Sequence, residues 1–154
     1  MKGDRCQLTD GQVTEVRRQQ DAILLFLIYK ILFMTGYKKL EAWKKSMQLV
    51  KEIYLLTKAY PKEEIYALTS QTKRAAVSVP CNIAEGSGRN YKKDTIQFLH
   101  ISRGSLYEVE TLLNIAVMVE IIPEEKFTPL SDSIDECLKI LNGLISYYEN
   151  SNLK

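Results

Sequence analysis

The residues of this chain best able to do chemistry are a single histidine and three cysteines, and their spacing suits none of the common uses. His100 is the only histidine. A Ser-His-Asp relay would have to run through it in mid-helix with no nucleophile motif nearby, and a histidine-rich metal centre is excluded. No Glu-x-x-His pair occurs, which removes the di-iron bundle site. Cys6, Cys81 and Cys137 are odd in number and far apart, with no Cys-x-x-Cys pair. A simple disulfide framework or zinc ribbon is thereby excluded, and the usage suits a reducing cytosol. Cys81, beside Pro80, reads as a small buried hydrophobe. Gly86-Ser-Gly88-Arg-Asn90 could present backbone amides to a phosphate ahead of a helix. It lacks the Lys-Ser/Thr of a P-loop and any preceding strand. The expectation is a cytoplasmic protein that is not an enzyme, with no catalytic residue, metal site or cofactor.

Binding is better represented than catalysis. The net charge is +2, yet Met34 to Arg103 holds 13 basic and six acidic residues, a net +7. Gly104 to Lys154 holds three basic and nine acidic ones, a net −6. Such a basic half could attract nucleic acid, opposite halves could steer copies of the chain toward one another, or the charges could be solvated and cancel within the fold. If RNA or DNA is the ligand, the candidate phosphate contacts are Lys73, Arg74, Arg89, Lys92, Lys93 and Arg103. Tyr91 would stack on a base.

These residues need helices to position them. The first 33 residues differ from the rest: a polar stretch leads into the apolar run Ala22–Phe33, interrupted by Lys30. That run is short of the roughly 20 residues that span a bilayer, and no cleavage site follows it. Residues 1–33 are read as an extension, with a membrane-associated tail as the alternative, and 34–154 as the domain, for which no membrane contact is expected. At 154 residues the chain is most simply one domain with a sizeable core. Four apolar seams follow, and no segment sustains strand alternation. The first helix spans about Lys38 to Ala59 on Leu40, Trp43, Met47, Val50, Tyr54 and Thr57, widened by Leu49, Ile53 and Leu56. The second, about Glu64 to Glu85, carries Leu68, Thr72, Ala75, Ala76, Val79 and Ile83. Pro80 lies inside it and predicts a kink, and Gly86 and Gly88 predict its end. Glu85 opposes the macrodipole there, so it should have a partner in Arg74, Arg89 or the free amides of the next helix. The third helix, capped by Asn90, runs to about Glu120 on Ile96, Leu99, Leu106, Val109, Leu113, Ala116 and Val117. The fourth opens at Thr128-Pro129, or earlier at Pro123, on Leu130, Ile134, Cys137, Leu141, Leu144 and Tyr148. Ala75, Ala76, Ser78, Ala84, Gly104 and Ser105 would let helices approach closely. Short connections favour an all-α, antiparallel up-down-up-down four-helix bundle.

Tyr37-Lys-Lys-Leu-Glu-Ala-Trp43, Leu68-Thr-Ser-Gln71, Arg74-Ala-Ala and Pro80-Cys-Asn-Ile-Ala-Glu-Gly86 with Arg89 carry a family resemblance. They resemble the bacterial four-helix-bundle family named after proteins encoded in intervening sequences of 23S rRNA genes. The likeness covers about Met34 to Asn150, with Pro80, Asn82, Glu85 and Gly86 in its most specific element. It implies an antiparallel four-helix bundle that assembles as a ring-shaped homopentamer. A more distant similarity is to the accessory variability determinant of diversity-generating retroelements, a basic pentameric bundle that binds nucleic acid and a reverse transcriptase. Two functions are therefore expected: RNA binding through the basic half, or a scaffold ring with protein partners and no nucleic-acid ligand. Arg74 and Arg89 discriminate between them, since exposure on a common face favours binding and engagement with acids favours architecture.

Overall fold

The computed structural model describes Glu15, residues 17–25 and residues 36–151. The chain divides into two units, Met1–Thr35 and Gly36–Lys154. In the first, residues 17–25 are helical and expose Ile23, Leu24 and Leu25. The apolar run beyond Leu25 lies outside the described residues. No helix among the described residues is long and apolar enough to cross a membrane.

The second unit is an all-α helical bundle. Its long helices are α1 (Glu41–Leu56), α2 (Leu68–Ser87), α3 (Lys92–Met118) and α4 (Glu124–Asn150). They pack in the cyclic order α1, α2, α3, α4 and back to α1, so α1 and α3 sit on one diagonal. The core lies between them, with Leu49, Ile53, Ile83, Leu99, Leu106, Leu113, Ile134 and Leu141 fully buried. Every expected seam residue of α2 is buried, because its apolar positions form one narrow stripe at helical spacing.

The seam of α1 keeps the expected Leu49, Ile53 and Thr57 but takes Ala42 and Ser46 inward, while the expected Met47 and Tyr54 stay outside. Ala42, Ser46, Leu49, Ile53 and Thr57 face inward, Trp43 and Val50 are half-buried, and Met47 and Tyr54 are exposed. Small residues win because they let the neighbouring helices come close. Burying their hydroxyls costs little, since Ser46 Oγ donates to the Trp43 carbonyl and Thr57 Oγ1 to that of Ile53, each at 2.8 Å. The Lys45 ammonium lies 2.7 Å from Glu136 and links α1 to α4. That hydrogen bond, together with the carboxylate's charge, raises the Lys45 pKa.

Helix ends differ from the sequence expectation where local signals are overridden. A 3-10 turn at Lys62–Tyr66 delays α2, which starts at Leu68. It then runs unbroken through Pro80 to Ser87. Tyr91, with no side-chain cap, rather than Asn90, precedes α3. The fourth helix opens after Pro123, and Pro129 is carried inside it. Glu124 and Glu125 in its first turn complement the helix dipole. At the other end of α3, Glu120 adopts φ 60°, a left-handed position usually given to glycine. The amide of Ile121 donates to the Ala116 carbonyl at 2.8 Å and that of Glu120 to Val117 at 2.9 Å. Those two bonds close the helix and turn Ile122 into the core.

Tyr60, only 7% exposed, buries a hydroxyl with no hydrogen-bond partner among the described residues. Burial pushes its pKa from 10.0 up to about 12. A raised folded-state pKa means stability is intact below pH 10.0 and falls as the pH rises toward about 12. Urea titrations across that range should show the loss. Tyr60→Phe should remove Tyr60's share of it, and at neutral pH should match or exceed the parent stability, because it deletes an unpaired buried group.

Candidate functional site

The family-like element Pro80–Gly86 lies in α2, against α3, and backbone proximity defines that contact. A Cβ built on Gly86 would meet Phe98 Cβ at 2.9 Å and the Thr95 carbonyl at 3.2 Å. Gly86 is thus within the helix as a point of close approach, instead of its stop. Hydroxyls from α3 stitch the seam. Thr95 Oγ1 donates to the Gly86 carbonyl at 2.9 Å, Ser102 Oγ to the Val79 carbonyl at 3.0 Å, and Ser105 Oγ bonds Ser78 Oγ at 2.9 Å. Residue numbers rise along α3 as they fall along α2. Thr95 and Ser102 are buried and satisfied, so they add specificity without an unpaired polar group. Pro80 is buried at the same seam, and the Ser102 bond falls on the residue next to its missing donor. Asn82 Nδ2 bonds back to the Ser78 carbonyl and hydroxyl at 2.8 and 2.9 Å. Cys81, expected to be buried, is exposed. It points away from this seam because Val79, Pro80 and Ile83 take the inward positions. Of the Thr95, Ser102 and Ser105 set, Ser105 alone is marked in sequence, as a point of close approach, although the seven- and three-residue spacing marks one helix face.

The six candidate cations have different surroundings. The Lys73 ammonium sits 5.2 Å from the centroid of the Tyr54 ring on α1. Arg89 pairs with the Glu85 carboxylate and stacks over Phe98, 4.4 Å from its ring centroid. Both members of that ion pair are about half exposed, so it adds less than about 1 kcal/mol. Lys92 Nζ donates to the carbonyls of Glu149 at 3.1 Å and Ser151 at 2.7 Å, capping the C-terminal end of α4. Arg103 Nη1 donates to Asn142 Oδ1 on α4 at 3.1 Å. Arg74 is exposed and lines a small cleft with Gln71, Ser78 and Glu108. Lys93 is exposed beside Tyr91 at the start of α3. Arg74 and Arg89 are thus divided, one facing solvent and the other engaged by an acid.

The residues weighed for chemistry stay apart. His100 Nε2 is 3.9 Å from Glu149 and half exposed. Burial raises the Cys137 thiol to about 11, so it is un-ionised at neutral pH and a poor nucleophile. Among the described residues no group of three or more His, Cys, Asp or Glu side chains could hold a metal ion.

Residues 38–143, over two thirds of the chain, match the family model described as 23S rRNA-intervening sequence protein. The chain belongs to that family. Among solved structures, this family member is similar to the crystal structure of a protein with unknown function from the S23 ribosomal protein family of Bacteroides thetaiotaomicron VPI-5482. The two are 24% identical, with a TM-score of 0.63, over 68% of this chain and 97% of the other. At that identity the likeness speaks for the fold alone. No curated protein matches the chain.

The Gly86 contact gives a direct test of the seam. Gly86→Ala should cost about 1–3 kcal/mol in urea unfolding, because the Phe98 and Thr95 contacts are too short to admit a methyl. Gly143→Ala, in α4 with open space around it, should instead add up to about 1 kcal/mol through helix propensity.

Proposed function

We propose that this chain is a non-enzymatic, self-assembling scaffold subunit of the cytoplasm, whose charged residues serve architecture and association between copies. Its protomer is an antiparallel up-down-up-down four-helix bundle and its assembly a ring-shaped homopentamer, as the family resemblance implies. The observation that carries the reading is the use of the basic half. Lys73, Arg89, Lys92 and Arg103 each engage a ring, a carboxylate, a pair of carbonyls or an amide of the same chain. A cation held this way loses internal contacts when it turns to a phosphate, which weakens the counterion-release advantage that drives nucleic-acid binding. The polarised charge is then available for steering copies together.

Light scattering at low and high salt tests this reading. The expected mass at low salt is five times the 17.7 kDa of one chain, and it should fall as added salt screens the opposed charges. A single-chain mass at low salt overturns self-assembly, and a pentamer indifferent to salt overturns the electrostatic role.

A second reading, RNA binding, draws on Arg74 and Lys93, for which no ion pair or hydrogen bond is found among the described residues, and on Tyr91, 70% exposed beside Lys92 and Lys93. Filter binding to a structured RNA at two salt concentrations separates the readings. The scaffold reading expects no retention at low salt; tight retention that salt abolishes would establish the second.

A further inference from the structure

The outward face of α3 is unusual for a solvent-facing helix. From Ile101 to Met118, Glu108 is the one charged residue at a fully exposed position, with Arg103 and Glu110 half-buried at the edge of the face and Arg74 of α2 sharing the cleft of Glu108. The other exposed positions are uncharged, among them Ile101, Gly104, Tyr107, Thr111 and Met118, with Tyr107 49% and Met118 77% exposed. A helix facing water normally places charged residues outward, and a face so nearly free of charge is normally covered. Gly104 makes a notch in it, with nothing within 4 Å of a Cβ added there.

A second exposed apolar line runs along α1, where Met47, Tyr54 and Leu55 lie on the outside. Lysines are interleaved with it: Lys51 and Lys58 are exposed at heptad spacing on that side. Met47 and Tyr54, two of the residues expected from sequence in the bundle seam of α1, therefore lie on an outer stripe, while Leu49 and Ile53 of that seam join Ala42 and Ser46 in the core.

We propose that the α1 stripe of one copy docks on the outer α3 face of the next, with Lys51 and Lys58 on the side of Glu108. The occupant of each surface is a second copy of this chain. Two features select it. The charges are complementary, two exposed lysines on one stripe and on the other face an exposed glutamate that forms no ion pair among the described residues, Arg74 beside its cleft included. The two surfaces are also unlike each other and sit on diagonal helices, each packed against α2 and α4. Unlike surfaces on opposite flanks make a head-to-tail contact, which propagates in one direction and closes into a ring when the rotation permits. A two-fold contact would need one self-complementary patch instead. Gly104 lets the incoming helix approach α3 closely, as only a residue without a side chain does.

This assignment rests on the self-assembly proposed above and deepens it by naming the two surfaces. The test uses two full-length variants, each blocking one surface. Gly104→Arg fills the notch on α3, and Met47→Glu places a charge in the α1 stripe. Circular dichroism checks each fold, and both sites are exposed in the protomer. Light scattering should show each variant alone at the single-chain mass of 17.7 kDa. Mixed in equal amounts, the intact α1 stripe of Gly104→Arg should meet the intact α3 face of Met47→Glu. The mixture should then rise to twice the single-chain mass and stop there. If the parent assembles and both folded variants keep its mass, these surfaces are wrong while self-assembly stands. If the variants dissociate but their mixture stays single, the head-to-tail pairing is wrong. If the parent chain is itself monomeric, the assembly reading falls along with this one.

Discussion

The backbone approach of α2 and α3 at Gly86 is the constraint on which the rest of the bundle depends. Two helices whose Cβ atoms would meet at 2.9 Å leave no room for side-chain adjustment at that point. They need small residues along the contact, which Ala75, Ala76 and Ser78 supply. They also bring main-chain carbonyls within reach of short hydroxyls, so Thr95 and Ser102 can pin the register directly to the backbone of α2. Interiors packed this closely transmit small displacements instead of absorbing them. Pro80 is tolerated for the same reason, since its helix is held from outside by α3 and does not rely on its own ladder alone.

That packing also decides where charge can go. A helix lined with alanine, serine and glycine on its contact face has its cations at the margins, where they meet neighbouring elements. Lys73 reaches α1, Arg89 folds over Phe98, and Arg103 reaches α4. Four of the six candidate cations, Lys73, Arg89, Lys92 and Arg103, are thus engaged within the bundle, while Arg74 and Lys93 are exposed. Charge counted along a sequence therefore measures how polarised the chain is, but not what that charge touches.

The fold was legible in the chain because its strongest signals are periodic. The seams of α2, α3 and α4 follow from three- and four-residue spacing, and Leu99, Leu106, Leu113, Ile134 and Leu141 are buried where that spacing puts them. On α1 the spacing marks a band wide enough to hold both the buried Leu49 and Ile53 and the exposed Met47 and Tyr54, since periodicity alone cannot tell which edge of a broad apolar band faces inward. Gly86 and Gly88 both read in sequence as a helix stop, because a glycine serves termination and close approach alike. Gly88 is the C-cap, and only the neighbour across the seam shows Gly86 to be the close approach. Asn90 and Thr128-Pro129 were misleading for a related reason: local capping preferences are small beside the burial of a whole helix. For the candidate site, the Glu85–Arg89 pairing was among the readable options because both residues lie on one helical turn and its exit. The partners of Lys92 and Arg103 were not, being 59 and 39 residues away.

Lys92 carries one more consequence. Its ammonium occupies the last carbonyls of α4 while its backbone belongs to the first turn of α3. Helix ends are ordinarily where a protein breathes, each terminus opening by itself at little cost. Here the final turn of α4 cannot unwind without releasing the side chain that starts α3. Opening either end therefore costs those hydrogen bonds as well as its own, about 1–3 kcal/mol. A surface lysine thus couples the beginning of the third helix to the end of the fourth, and fraying at one end is felt at the other.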